Sequence, residues 1–129
     1  MDRGDLVQAR QTLTRFRPED RNNFLLRATE SLLLALEGKR EQAIRAMDPE
    51  VIEYLEVNPL FTLTGAEFYA VMEDRSQALE WLERAVRNGD DRAEWFARNP
   101  ALKNIRQEER FQKILSSLAV RQPMVRESP

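Results

Sequence analysis

The 129-residue chain contains no cysteine and no histidine. That absence removes disulfides, thiol nucleophiles, imidazole bases and the common zinc ligands together. Carboxylates and arginines remain, which is poor material for catalysis near neutral pH, so no enzyme, cofactor or metal site is expected. Runs of about eighteen apolar residues are absent, no signal peptide opens the chain, and a soluble cytoplasmic protein without a membrane partner is the expectation. A net charge of only −2 carries no general nucleic-acid footprint. Glycine occurs only four times, and alternating β-branched runs are missing. Ala, Leu, Glu, Arg and Gln dominate, so the expected class is all-α.

The charges that are present are unevenly spread. Residues 48–74 hold seven acidic side chains and no basic one, whereas residues from Arg84 onward hold ten basic against six acidic. This fits either ordinary solvated helix faces or an acidic surface that meets a basic partner.

Three short stretches align: GDLVQA (4–9), GKREQA (38–43) and EDRSQA (73–78). Each ends in Gln-Ala and is followed by a segment patterned for a helix. Ala9, Ala43 and Ala78 are 34 and 35 residues apart, near the length of a helix–turn–helix repeat. The last of these helices, in residues 74–90, carries Ala78, Leu79, Leu82, Ala85 and Val86 at spacings of one face, with Gly89 placed for a C-terminal cap. Another helix precedes each of the last two stretches. One spans residues 24–38. The other spans 59–74, with Asn58 as its expected cap and Pro59 in its first turn. Phe61, Gly65, Ala66, Phe68, Tyr69 and Met72 share its buried face. The small Gly65 and Ala66 are expected to admit Ala78 of the following helix.

Thr62, Gly65-Ala66 and Tyr69, followed by Ala78 and Leu82, keep the spacing W-x2-L-G-x2-Y then A-x3-F. On these residues the chain resembles the tetratricopeptide repeat (TPR) family. Thr62 stands where that pattern has Trp, and Gly65-Ala66 where it has Leu-Gly. Arg27, Glu30-Ser31, Leu34, Ala43 and Met47 form a more degenerate preceding copy. Residues 4–16 read as the second helix of a further one. The resemblance covers residues 4–89 and implies an α-solenoid of about two and a half repeats of antiparallel helix pairs. Asp48-Pro49 interrupts the middle repeat, since proline removes an amide donor and clashes with the preceding turn. A break near Asp48 and a short helix from Pro49 to about Glu56 are expected.

Residues 90–120 are similar to a tail that follows the last repeat in bacterial multidomain regulators, among them serine/threonine kinases. Trp95, Asn99-Pro100, Leu102, Ile105-Arg106, Glu109-Arg110-Phe111 and Ile114-Leu115 carry this likeness. A solenoid needs such a cap because its last repeat exposes an apolar face. Residues 1–120 are therefore read as one helical domain, with 4–89 as repeats, 90–120 as capping tail and 121–129 as a frayed end. The resemblance also suggests the C-terminal piece of a longer bacterial signalling protein.

What the resemblance implies about function is protein–protein interaction on the concave face lined by the first helices of the repeats. Leu25, Ala28, Leu32, Ala35 and Leu36 would lie there, then Leu60, Leu63, Glu67, Ala70 and Val71. The partner-binding candidates are Leu25, Leu32, Leu36, Leu60, Leu63, Glu67, Val71 and Trp81. Their alternative role is core. The lysine and arginine set with which chaperone-binding members clamp a C-terminal carboxylate is absent. Self-association into a homodimer and small-ligand sensing are the competing functions. The carboxylate pairs Asp90-Asp91 and Glu108-Glu109 stand at expected helix starts, where the helix dipole favours acids.

Overall fold

The computed structural model describes residues 7, 8, 10, 11 and 23–121. Ala9 of the first Gln-Ala stretch and residues 122–129 of the end expected to fray lie outside the described residues, while Arg121, expected to fray, is helical. Every regular element among the described residues is helical: α1 (Phe24–Leu36), α2 (Arg40–Ala46), α3 (Pro49–Val57), α4 (Thr62–Val71), α5 (Arg75–Arg87), α6 (Ala93–Arg98), a 3-10 turn (Pro100–Leu102) and α7 (Glu109–Arg121). Residues 7, 8, 10 and 11 are helical too. Arg10 joins them to α1 through Glu37 at 2.6 Å and Glu30 at 3.3 Å. The same Arg10 hydrogen bond holds the Glu37 carboxyl below its ordinary range.

Side-chain caps start α1, α3, α5 and the 3-10 turn. Asn23 accepts from the Leu25 and Leu26 amides, Asp48 from Val51, Asp74 from Gln77 and Asn99 from Ala101. Each such cap contributes about 1 kcal/mol. The break at Asp48 occurs as expected, with Pro49 in the first turn of α3. Asp48 also pairs with Arg27 of α1, whose guanidinium lies 5.4 Å from the Phe24 ring centroid.

Three helices end in the same left-handed turn. The amides of Gly38 and Lys39 donate to Ala35 and Leu34, those of Glu73 and Asp74 to Ala70 and Tyr69, and those of Gly89 and Asp90 to Val86 and Ala85. This is the Schellman pattern, which needs positive φ at the residue after the cap. Gly38, Glu73 and Gly89 have φ of 81°, 64° and 108°. The first two turns are 35 residues apart, and burial repeats at that interval. Ala28 and Leu63, Ser31 and Ala66, Leu33 and Phe68, Ala43 and Ala78, and Met47 and Leu82 are all buried.

The core centres on α4, which packs against α1, α3, α5 and the 3-10 turn. It is apolar on nearly every side, as a central helix must be. It starts at Thr62, three residues later than the Asn58-Pro59 pair suggests. Asn58 instead closes α3: its side-chain amide donates to the Tyr54 carbonyl at 2.7 Å, and its own carbonyl accepts from the Phe61 amide. Thr62 is fully buried. Its hydroxyl bonds the Leu55 carbonyl at 2.8 Å and accepts from Asn88 at 3.3 Å, tying α3, α4 and α5 together.

The side chain nearest Gly65 is Trp81 of α5. A Cβ added there would lie 2.2 Å from Cε3 of Trp81, so the indole rests on the bare backbone of α4. Trp81 stacks on Tyr69 at 6.2 Å, and the Arg84 guanidinium covers its ring at 4.6 Å. The tail then seals the core with Phe96, Leu102, Ile105, Phe111 and Leu118, none measurably exposed beyond 1%. Burial of side chains of this size contributes about 1.5–3 kcal/mol each.

Candidate functional site

The first-helix face formed by α1 and α4 is not an open groove. The tail crosses it. The Asn99 side-chain amide donates to Glu67 Oε2 at 2.9 Å, and that of Asn104 donates to the Ala70 carbonyl at 3.0 Å. Arg106 Nη2 in turn donates to the Asn99 carbonyl at 2.7 Å. Asn99 is buried and bonds at once through its side-chain oxygen, its side-chain nitrogen and its carbonyl. Burial pushes the Glu67 carboxyl above its ordinary range, while the Asn99 hydrogen bond and the nearby Arg92 charge pull it back.

The candidate residues accordingly separate. Leu63, only 5% exposed, belongs to the core, as do Ala28 and Ala70, because α4 is surrounded by other helices. Trp81, 4% exposed, is held against Gly65 and presents no surface to a partner. Leu60 is 82% exposed but lies in the turn before α4, away from the first-helix face. There it borders a second cleft with Pro59, Asn88 and Asp90–Arg92. Glu67 is engaged by the tail. Leu25 and Leu32 are half-buried on α1.

Leu36 and Val71 are brought together. They stand at the C-terminal ends of α1 and α4 and, with Ala35, form one wall of a cleft of about 300 Å³. Pro100, Ala101 and Lys103 of the tail form the other. Lys103 is exposed and makes no ion pair among the described residues. The cleft thus places apolar side chains beside a cation that makes no ion pair among the described residues.

No protein-family model, curated protein or solved structure matches the chain. Asp90 accepts two hydrogen bonds from the Arg92 guanidinium, at 2.8 and 2.7 Å, and is occupied as a structural partner. No group of three or more acidic residues converges as a metal-ion site among the described residues, and no helix among them is long and apolar enough to cross a membrane.

Sequence reasoning missed Lys103 and Asn104. Nothing in their local pattern distinguishes them, since they act through a tail whose path over α4 is a tertiary fact. Asn99 carried a signal, the Asn-Pro pair, but only its capping half was legible.

Proposed function

We propose that the chain is a non-catalytic interaction module, built of TPR-like repeats, that binds a short segment of a partner protein in the cleft between α1, α4 and the tail. The recurrence of one turn and one burial pattern at 35 residues supports the repeat architecture. The cleft carries the functional reading: Leu36 and Val71 on one wall, with Lys103, which makes no ion pair among the described residues, opposite. An apolar anchor next to a carboxylate fits that chemistry, as segments recognised in hydrophobic grooves do. On the resemblance alone, the module serves as a regulatory or scaffold part of a larger bacterial signalling protein.

Panning a displayed peptide library against the full chain tests this. Enriched sequences should pair a bulky apolar residue with Asp or Glu. Lys103→Glu and Val71→Ala should each weaken their binding about tenfold, the scale of a desolvated anchor or charge contact. Absence of enrichment, or binding indifferent to both substitutions, refutes the reading.

A further inference from the structure

We propose that the groove between α5 and α7 docks α3 of a second copy of this chain, so that molecules associate head to tail. This does not rest on the cleft reading above, because different residues form it. The groove has a volume of about 430 Å³, with Val86 and Ile114 as its apolar floor and Arg87, Arg110 and Lys113 at its rim. Arg110 is already held by Glu83 at 2.6 Å. Lys113 meets Glu109 one turn away at 3.6 Å, but both side chains are mostly exposed and such a pair contributes little. Arg87 is exposed and has no ion pair among the described residues. An occupant must therefore present an apolar side chain flanked by carboxylates.

The chain displays that chemistry on α3. Glu50, Glu53 and Val57 fall at i, i+3 and i+7, one outward face of a helix. Leu60 follows in the next turn. Val57 and Leu60 are 67% and 82% exposed, the two most exposed large apolar side chains among the described residues. Glu50 and Glu53 are exposed and make no ion pair among those residues. Residues 48–74 contain no base to oppose them. Charge and apolar pattern on α3 are thus the complement of the groove.

The two surfaces cannot meet within one molecule. Glu83 of α5 reaches Arg110 on α7, whereas the next residue, Arg84, reaches Glu56 on α3. Successive helical residues point roughly 100° apart, so α3 and α7 flank α5 on different sides. Each molecule keeps one α3 face and one groove, and a contact between unlike surfaces propagates instead of closing on a two-fold axis.

Light scattering on the full chain at low salt, from about 10 μM to about 1 mM, reads the association directly. The mass should rise above the 15.1 kDa of the single chain. It should return to that value in about 0.5 M salt, where charges are screened. The double variants Arg87→Glu/Lys113→Glu and Glu50→Lys/Glu53→Lys, all at exposed positions, should each remain monomeric. Mixed together, they should associate again, because the intact groove of one variant meets the intact α3 of the other and the reversed charges of the two also complement one another. Leu60→Ser, which alters no charge, should weaken association about tenfold. A chain monomeric at every concentration, an assembly indifferent to both double variants, or a mixture that stays monomeric overturns the proposal. So does an acidic peptide that fills the groove of a chain that never self-associates.

Discussion

The Gly65–Trp81 contact gives the sharpest test of the packing. Gly65→Ala in an ordinary helix stabilises by about 1 kcal/mol, because alanine is the better helix former. Here the added methyl would sit 2.2, 2.5 and 2.7 Å from Cε3, Cδ2 and Cζ3 of the indole. Carbon atoms pack at about 3.5–4.0 Å, so the overlap exceeds an ångström. The ring cannot swing clear, since it lies between Tyr69 and Arg84 and is almost wholly buried. Overpacking of this kind costs about 1–3 kcal/mol. An overlap this deep belongs at the upper end, which leaves a net destabilisation of about 2 kcal/mol. For a chain of this size that lowers the thermal midpoint by about 6–10 °C.

Urea unfolding followed by circular dichroism measures the effect, and a second variant isolates its cause. Trp81→Leu alone should destabilise by about 3 kcal/mol, through the cavity it leaves. In that background the clash is gone, and Gly65→Ala should become neutral or stabilising. The double-mutant cycle should therefore return a coupling of about 2–3 kcal/mol. If Gly65→Ala raises the midpoint of the parent chain, or costs the same with Leu at position 81, the indole is not seated on α4 as described.

Three further outcomes follow from particular contacts. Glu73→Gly should stabilise by about 0.5–1 kcal/mol in urea unfolding, because Glu73 holds a φ of 64° that glycine adopts without strain. Asp48→Ala should cost about 1–2 kcal/mol by the same measure, since it removes both the cap on Val51 and the partner of Arg27. Glu67→Gln should raise stability at neutral pH and lose that advantage as pH falls: burial lifts the folded carboxyl above its unfolded value, so the folded state binds the proton more tightly, and the stability linked to protonation is fully present below the unfolded value and lost as pH rises through the folded one. Thermal midpoints of parent and variant across that range check the sign; a gap that widens on acidification contradicts it.

Much of the helical framework was legible because it rests on local chemistry. Asp48-Pro49 announces a break wherever it occurs, and Gly89 after Asn88 announces a stop. The 35-residue recurrence of Gln-Ala became the recurrence of a hydrogen-bonded turn, down to equivalent donors. What failed was what depends on neighbours. Asn58-Pro59 is a sound start signal, yet Asn58 is used by the preceding helix through Tyr54. Gly65 signalled a close approach, but a small residue does not say which partner approaches, and the occupant is the largest side chain of α5. The tail over the first-helix face was illegible for the same reason: periodicity places Leu63 and Glu67 on α4 but says nothing about what is laid over them.

That tail links binding to closure. Asn99 caps its own turn and holds Glu67, so the tail is pinned to α4 by a residue that also shapes its path. A partner confined to the cleft needs the tail in place, because Pro100, Ala101 and Lys103 form half of it. A partner lying along the whole first-helix face needs the tail lifted. Asn99→Ala removes the cap and the Glu67 bond at a cost of about 1–2 kcal/mol, small enough to leave the fold intact. The two modes then respond with opposite sign. Loosening the tail populates the open form, and affinity shifts by the differential preference of the ligand for the two states. For a cleft ligand, fluorescence anisotropy of a selected peptide should show about fivefold or greater weakening, the usual scale of such coupling. Tighter binding to Asn99→Ala would mean that the tail competes with the partner and that the cleft is not the site.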